Sequence, residues 1–577
     1  MLALAVTSPL VYHVARGSQA YVGLLEDDFF YYAIVADKLA ATGRLTFDGI
    51  TTTNGFHPMW FLVLFVVRLA AGGLNASFYV ALAALLAASM IATYELSRSL
   101  ACALGASRAM APAASLVFAA GTDVVIASGM ETAVDVPLLV ALVLALSRPG
   151  PVTPRRAARL GLLASLAILA RLDVALVVPL ALAGWVVFGR PAWTTVCRAS
   201  MAFCAAGIAV PVYAAFNLVA FGSVMPVSGL AKQLVLRPGF NISYAVVAFA
   251  GTAYGWAAGW TLLAGVVALG ILHRQRRSPS SDDLPSAALF GGAVAFAFAA
   301  VFFALNALSG WCFFGWYAYP LAPALVAGVT FVGRAALFRI PEALRARAGA
   351  LVCVAAGLLA AGQAVHYFVT HGPRWSVADN GLADLSVELA QVMKGRHGVY
   401  AMGAVGGMVA YELGEPLVQL EGLVADRAMV EHVRAEDDLG RVLASYGVEY
   451  LVVSMQHAVL EKRDGCYVVT EPEAEWAGKR VAKMRGALCA EPIAQFSTRS
   501  KPHAWSTFSS MDTYVFDVRG TVWKPAPSSG TPSAARAPSS FPPGSPQALV
   551  HDRPYGLYLP SAYRPGTPVP LVVALHC

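Results

Sequence analysis

The sequence predicts a mainly α-helical, polytopic membrane protein with a small α/β domain outside the membrane. Three observations predict it. Long apolar runs recur from the start of the chain to about residue 368. Across the 577 residues, 58% are hydrophobic and only 13% charged, against roughly 25% charged in an average soluble domain. From 369 to 520 the texture turns polar, and short β-branched runs alternate with helical ones. The formal net charge is +7, but the arginines bunch in short loops. That is a signal of topology rather than a nucleic-acid footprint, so no nucleic-acid partner is expected.

Twelve apolar segments are candidate spans: 1–14, 58–72, 77–97, 109–127, 134–147, 160–171, 174–188, 199–220, 245–271, 286–308, 316–333 and 348–368. The first is short for a span, lacks a basic start and has no small-residue cleavage site, so the true start of the protein is expected further upstream. Arg148, Arg155, Arg156 and Arg159 form one basic loop. His273 to Arg277 form a second, and Arg334, Arg339, Arg345 and Arg347 a third. Arginine-rich loops stay on the cytoplasmic side. Seven crossings counted from residue 159 then place the region after 368 outside, together with the acidic loop 16–57 if the N-terminus is inside. An odd number of crossings must separate that loop from the first basic loop, yet four segments lie between them. One of the four is therefore not a full span, and the expectation is about 11 membrane helices.

The loop 16–57 holds the most unusual stretch of the chain. Glu26, Asp27 and Asp28 are followed by Phe29, Phe30, Tyr31 and Tyr32. Charge beside lipid is expensive and seldom kept without a role. Adjacent acids raise at least one carboxyl pKa and suit proton abstraction, or else they hold a cation. The bland alternative is a solvated loop with an interfacial aromatic belt. Against it, the loop closes on Thr51-Thr52-Thr53-Asn54-Gly55-Phe56-His57-Pro58, a polar turn leading straight into an apolar helix.

The run EDDFFYYAIVADKLAATGRLTFDGITTTNGFHPMW (26–60) resembles the first external loop of bacterial GT-C membrane glycosyltransferases, relatives of the protein O-mannosyltransferases and the lipid A aminoarabinose transferases. The resemblance continues in SGMETA (128–133), LARLD (169–173), NLVAFGSVMPVSGLAK (217–232), WYAYP (316–320) and QLEGLV (419–424), and covers roughly residues 10–520. It implies a GT-C-like module over 1–368 and a sugar donor carried on polyprenyl phosphate. Transfer would occur at the outer face of the bacterial inner membrane, usually with inversion, to a cell-envelope glycan, lipid or protein. It also implies that an aspartate of this loop acts as the base or orients the acceptor. Asp27 matches that position best, with Asp28 second.

Other site residues follow from the chemistry. A leaving polyprenyl phosphate needs positive charge, and Arg171 and Lys232 lie on the outer side by the topology above. Arg171 has the alternative of pairing with Asp173 at a helix end, and Lys232 of anchoring at the interface. Glu131 either lines the same cavity or caps a helix. His57 contacts the donor phosphate, orients an acid or packs the loop. Tyr31, Tyr32 and Asn54 belong to the matched loop, while Trp316 and Tyr317 form either an aromatic belt or a sugar-facing wall. Glu26 is carried with them, and of the three acids it is the nearest to plain solvation. No cofactor follows with certainty, and members of the resembled family differ in whether they use a divalent metal. Three neighbouring acids permit a divalent metal, but no second carboxylate cluster supports one.

Residues 369–520 read as an extracytoplasmic α/β domain. Strands are expected at 399–402, 416–420 and 448–454, with helices ending near Leu413 and over 438–446. The glycines of 403–407 read as a plain strand-to-helix turn, with a weak resemblance to a phosphate loop. Of the eight cysteines, Cys102, Cys197, Cys204, Cys312 and Cys353 lie in or beside apolar segments and read as small buried hydrophobes. Cys466 and Cys489 can pair if their domain is outside. Residues 521–550 are a Pro/Ser-rich flexible linker. RPYGLYLPSAYRPGTPVPLVVALHC (553–577) resembles the opening strands of polyhydroxybutyrate-depolymerase and feruloyl-esterase α/β-hydrolases. No Gly-x-Ser-x-Gly elbow follows, so 551–577 reads as an incomplete fragment left by truncation, frameshift or fusion. Two other functional classes compete with sugar transfer. A flippase of lipid-linked sugar would favour internal repeats and acids within spans, and a non-catalytic envelope scaffold would need only the outer domain.

Overall fold

A computed structural model describes residues 25–107, 110–112, 129–151, 153–189, 193–232, 253–275, 286–308, 319–337, 381–403, 405–456, 460–471, 482–499 and 510–525, with 548–550, 553–555 and the single positions 317, 347, 351 and 354. The expected spans 1–14 and 348–368, most of 109–127, Trp316, and most of the linker and the hydrolase-like tail lie outside the described residues. The chain forms two compact units, Met1–Lys524 and Pro525–Cys577. In the second, the described residues form one antiparallel pair of strands, Ala548–Val550 with Arg553–Tyr555.

The first unit opens with helices: α1 (Asp27–Thr42), α2 (Pro58–Ala71), α3 (Ala76–Ala103), α4 (Thr132–Ser147), α5 (Pro154–Ala170), α6 (Val177–Gly189), α7 (Trp193–Ala206), α8 (Ala209–Phe221), the short α9 (Val227–Lys232), α10 (Ala253–Gln275), α11 (Ser286–Leu308) and α12 (Leu321–Leu337). Their ends follow local chemistry. The Asn75 side chain caps α3 by accepting from the Phe78 N–H, and Thr153 caps α5 through the Arg156 N–H. Pro58 and Pro154 start α2 and α5, where a missing N–H costs nothing. Gly43, Gly72 and Gly222 end α1, α2 and α8. Among the described residues, α3 and α11 are long and apolar enough to cross a membrane. A third span results if Val196–Ala205 and Ala209–Phe221, bent by 50°, are one helix. Helices α2, α4 and α12 are apolar but shorter. The protein is thus mainly helical and membrane-embedded.

The polar region adds α13 (Gly381–Val392), β1 (Tyr400–Met402), α14 (Gly406–Leu413), β2 (Leu417–Gln419), α15 (Arg427–Ala435), α16 (Leu439–Ser445), β3 (Tyr450–Gln456), β4 (Lys462–Arg463), β5 (Cys466–Glu471), β6 (Met484–Leu488), β7 (Ala494–Arg499), β8 (Ser510–Asp517) and β9 (Trp523–Lys524). One sheet runs β2-β1-β3-β8-β7. Its β1 is parallel to β2 and β3, so α14 is the crossover between β1 and β2, and β3/β8 and β8/β7 are antiparallel. A second, antiparallel sheet runs β4-β5-β6-β9. Cys466 and Cys489 are disulfide-bonded across it. The strands expected near 400, 418 and 451 are present, whereas the second sheet was not expected.

Two hydrophobic cores organise the helices. One joins Phe29, Phe30, Trp60, Phe78 and Leu86 of α1–α3 to Met408, Val409 and Tyr400 of the α/β region. The second packs the far halves of α3 and α4 against α5, α11 and α12 through Leu100, Leu139, Val143, Phe298 and Phe331.

Candidate functional site

The two aspartates at the start of α1 are about 100° apart around the helix, and they enter different environments. Asp27 is buried against the N-terminus of α14. The Met408 N–H donates to its Oδ1 at 2.7 Å and the Gly407 N–H to its Oδ2 at 3.1 Å. Alongside, the Gly406 N–H donates to the Tyr31 hydroxyl at 3.2 Å. The first amides of a helix have no partner within it, and their dipoles favour an anion. Asp27 supplies that anion from another part of the chain. Its carboxyl is raised by burial, against the lowering effect of the two amides and Tyr31. The approach requires glycine at 407, because a Cβ there would stand 2.3 Å from the Asp27 carbonyl oxygen. The residue before the helix, Val405, has φ 59°, a left-handed conformation that is uncommon for a β-branched side chain. The glycines of 403–407 therefore make a strand-to-helix turn whose amides hold the chain's own carboxylate.

Asp28 is half-buried and faces the interior of the helical module. Burial pushes its carboxyl up to about 7; Lys232 pulls it down, while Asp27 and Glu131 push it further up. Glu131, 2% exposed, stands just before α4. It accepts from Arg171 Nη1 at 2.6 Å and from the Tyr32 hydroxyl at 3.3 Å. His57 Nε2 is 3.9 Å from the same carboxylate. Burial, with Arg171, lowers the His57 imidazole to about 3, so it is neutral at physiological pH, and its Nδ1 has no hydrogen-bond partner.

Arg171, at the end of α5, is 4% exposed. Its Nε donates to Asp173 at 3.1 Å, and its guanidinium lies 4.8 Å from the ring centre of Tyr317 and 4.6 Å from that of Tyr319. The Tyr319 hydroxyl donates to Asp173 at 2.9 Å. The Lys232 ammonium, at the end of α9, stands 5.6 Å from the Tyr317 ring centre. Asn54 sets where α9 begins: its Oδ1 accepts from the Val227 N–H at 2.9 Å and its amide donates to Asn217 at 3.2 Å. Beside it, a cavity of about 260 Å³ is lined by Thr52, Asn54, Ser223, Leu230, Asp426 and Arg427.

Of the expected site residues, Asp28, Tyr32, His57, Glu131, Arg171, Lys232 and Tyr317 thus form one electrostatically linked group. Asp27 and Tyr31 sit at its edge, tied to α14. Asn54 supports α9 and makes none of these charged contacts. Glu26 is exposed at the head of α1, and Trp316 is outside the described residues.

The sequence reading did not assign Glu421. It is 8% exposed on the turn after β2, accepts from Gln419 Nε2 at 2.9 Å, and is pushed up to about 8 by burial and by Asp28 and Asp27. The loop before α2 presses on this turn: a Cβ on Gly55 would lie 1.9 Å from the Leu423 carbonyl oxygen. The available signal was the QLEGLV motif itself.

The acids do not make a divalent-metal donor set. Among the described residues no three His, Cys, Asp or Glu side chains group as metal ligands. Both Asp27 oxygens accept from amides, and both Glu131 oxygens accept from Arg171 and Tyr32.

No family model matches the chain, and no curated protein does. Among solved structures, the chain is similar to ArnT from Cupriavidus metallidurans bound to undecaprenyl phosphate, at 14% identity and a TM-score of 0.46, covering 89% of this chain and 97% of that one. It is similar to the same protein in its apo state at 14% identity and a TM-score of 0.47, covering 79% and 93%. It is also similar to the Archaeoglobus fulgidus oligosaccharyltransferase tethered with an acceptor peptide, at 10% identity and a TM-score of 0.46, covering 78% and 69%.

Proposed function

We propose that the chain is a GT-C-type glycosyltransferase with about 11 membrane helices. In this reading it moves a sugar from polyprenyl phosphate to a cell-envelope acceptor at the outer face of the bacterial inner membrane. The observation that carries the proposal is the electrostatic coupling of the half-buried Asp28 carboxyl to the Lys232 ammonium, within the group that also holds the buried Arg171–Glu131 ion pair. A base and a cation held in one group are what inverting transfer from a phosphate leaving group requires. The resemblance of the loop 26–60 and its companion motifs supplies the substrate class.

In the reaction so read, Asp28 takes the proton of the acceptor hydroxyl. That oxygen bonds to the anomeric carbon as the bond from this carbon to the phosphate oxygen breaks. Polyprenyl phosphate leaves with the electron pair, and Lys232 balances its charge. This assignment moves the base from Asp27 to Asp28, because both Asp27 oxygens are already occupied by α14 amides. Arg171 is likewise engaged by Glu131 and Asp173, so its role is to hold Glu131 and the two tyrosines in place. The Cys466–Cys489 disulfide supports an outer location for the α/β region, since such bonds persist in oxidising compartments.

The test compares Asp28→Asn with Asp27→Asn in transfer of labelled sugar from polyprenyl phosphate by membranes containing equal amounts of protein. Asp28→Asn is expected to abolish transfer and Asp27→Asn to reduce it. Unchanged transfer in Asp28→Asn would remove the basis of the reading. A cysteine introduced at position 24 should react with an impermeant thiol reagent from outside.

A further inference from the structure

The reaction just described leaves Glu421 without a part. The turn that carries it, 419–424, is held from several sides. The Leu423 N–H donates to Gln419 Oε1 at 2.9 Å, which fixes the orientation of that amide. Gln419 Nε2 then donates to the Gly403 carbonyl at 3.4 Å and to Glu421 Oε2 at 2.9 Å. Gly422 takes φ 78°, and a Cβ there would stand 2.9 Å from Val430 Cγ2, so the turn is packed on α15. Glu421 is 8% exposed. Its second oxygen, Oε1, has no hydrogen bond from the described residues, yet it is not closed off from open space. Buried carboxyl oxygens are almost always paired, so an open, unpaired one on a fixed turn is placed to bond something from outside the chain.

The surroundings of the turn narrow what that is. Gln419 and Tyr31 both lie against Gly406: a Cβ there would be 3.8 Å from Gln419 Cγ and 4.0 Å from the Tyr31 hydroxyl. At about 100° per residue, Tyr31 sits one turn along α1 and between the two aspartates, about 40° around from Asp27 and about 60° from Asp28. The Glu421 carboxyl is electrostatically coupled to Asp28, Asp27 and Lys232, and to the Tyr31 hydroxyl. From the α/β region it therefore stands over the face of α1 that carries the base. Three carboxyls around one ammonium do not all ionise. Burial, then Asp28 and Asp27, push Glu421 up to about 8 against the pull of Gln419 and Lys232, whereas Asp28 is held at about 7. The proton thus rests on Glu421 and leaves Asp28 free as the base. Because Oε2 accepts from Gln419, that proton is on Oε1, which makes a neutral hydrogen-bond donor beside the base.

We propose that Glu421 is a substrate-binding residue of the reaction centre, and that its Oε1–H donates a hydrogen bond to a substrate hydroxyl next to the reacting bond. The inference rests on the sugar-transfer reading and adds to it a contact made by the α/β region. A neutral donor suits the oxygen of an alcohol and brings no further negative charge beside Asp28. A phosphate does not suit this position, since Asp28 and Asp27 stand beside it and repel an anion, and Lys232 is the cation that serves the phosphate. The hydroxyl belongs to the donor sugar or to the acceptor, two sources of one chemistry that experiment separates. No bond is made or broken at Glu421. It orients the substrate, and Asp28 takes the proton.

The test compares the wild-type full chain with Glu421→Met, Glu421→Gln and Asp28→Asn, in membranes containing equal amounts of protein and a labelled sugar on polyprenyl phosphate. Glu421→Met keeps the length of the side chain without its polar end and should lower transfer about ten-fold. Glu421→Gln should recover most of that loss, because its oxygen can accept from Gln419 while its NH₂ takes the place of the Oε1–H. Binding of polyprenyl phosphate without a sugar should be the same in the wild type and in Glu421→Met. A higher KM for the sugar-bearing donor in Glu421→Met assigns the hydroxyl to the donor. An unchanged donor KM with a lower rate at saturation assigns it to the acceptor. Glu421→Asp, which draws the oxygen back by one methylene, takes the place of Glu421→Met if that variant does not fold. Wild-type transfer in Glu421→Met would overturn the inference, as would no recovery in Glu421→Gln or an equal loss of binding to bare polyprenyl phosphate. If Asp28→Asn loses transfer while Glu421→Met keeps it, this inference alone fails. If the wild type transfers no sugar, the transferase reading fails and this inference with it.

Discussion

The two halves of the larger unit bury polar groups in opposite ways. In the α/β region nearly every buried polar side chain has a near partner: Gln419 serves Gly403, Glu421 and Leu423, Asp426 caps α15 and accepts from Tyr446, and Ser454 bonds Thr513 across the sheet. Thr498 is the exception among the described residues there. The helical module instead contains Asp135, Thr93, Ser97, Ser165 and one nitrogen of His57 without partners. Asp28 stands half-buried among other charges. The α/β region is thus held by its own side-chain hydrogen bonds, whereas the helical module is held by apolar packing around a few charged pairs. Asp27 joins the two, completing a helix of the scaffold from the head of α1.

The largest effect that would sharpen this contrast is on chemistry. Replacing Asp28 by Asn should lower the rate of transfer by about 10²–10⁴-fold, the usual range for losing a general base, with an unchanged thermal midpoint. Because its carboxyl is pushed up to about 7, the wild-type rate should rise with pH through that value as the base loses its proton. The variant should lose this limb.

Next comes the Arg171–Glu131 pair. Arg171→Met leaves a buried carboxylate uncompensated, which typically costs about 3–5 kcal/mol. Arg171→Met combined with Glu131→Gln should recover much of the loss, a pattern that a double-mutant cycle on thermal stability would read. Additive losses would break the view of the pair as one unit.

On the scaffold side, Cys466→Ser with Cys489→Ser opens a loop of 23 residues, and about 3 kcal/mol of stability should go with it. The loss should appear as protease sensitivity of the region 460–490 before transfer fails. Smaller again is Asp27→Ala. A lost helix cap costs about 1–2 kcal/mol, with a partial fall in rate as α14 and α1 separate. A rate loss equal to that of Asp28→Asn would erase the distinction between the two acids.

A further effect, one of pH, concerns Glu421. Its folded pKa of about 8 lies above the ordinary carboxylate value, so the folded state holds the proton more tightly than the unfolded one. Its contribution to stability is therefore full at low pH and declines as pH rises from about 4 to 8. Glu421→Gln should flatten the decline of the thermal midpoint between pH 5 and pH 8.

Much of this site could be read from the sequence because lipid makes charge conspicuous. Glu131, Arg171 and Lys232 stood out as isolated charges among apolar segments, and the loop 26–60 stood out by its acids and aromatics. Asp135 has the same character but was passed over as part of an apolar run. Glu421 was hidden by the polar texture around it, where one more acid carries no signal. The second sheet went unread because its strands are short and mixed in polarity, so period-2 alternation is weak in them.

Composition and local pattern were enough for a mainly helical, membrane-embedded chain and for the α/β texture of its polar region, since these depend on hydrophobic periodicity and on residues adjacent in the chain. The family resemblance ranked Asp27 ahead of Asp28, but composition and local pattern could not show which groups surround each, since the two are identical in type and adjacent in position. Only the tertiary structure did so, because it brings α14, 380 residues away, against one face of α1 and Lys232 toward the other. An acid's role depends on which groups surround its carboxylate, and those groups come from distant parts of the chain.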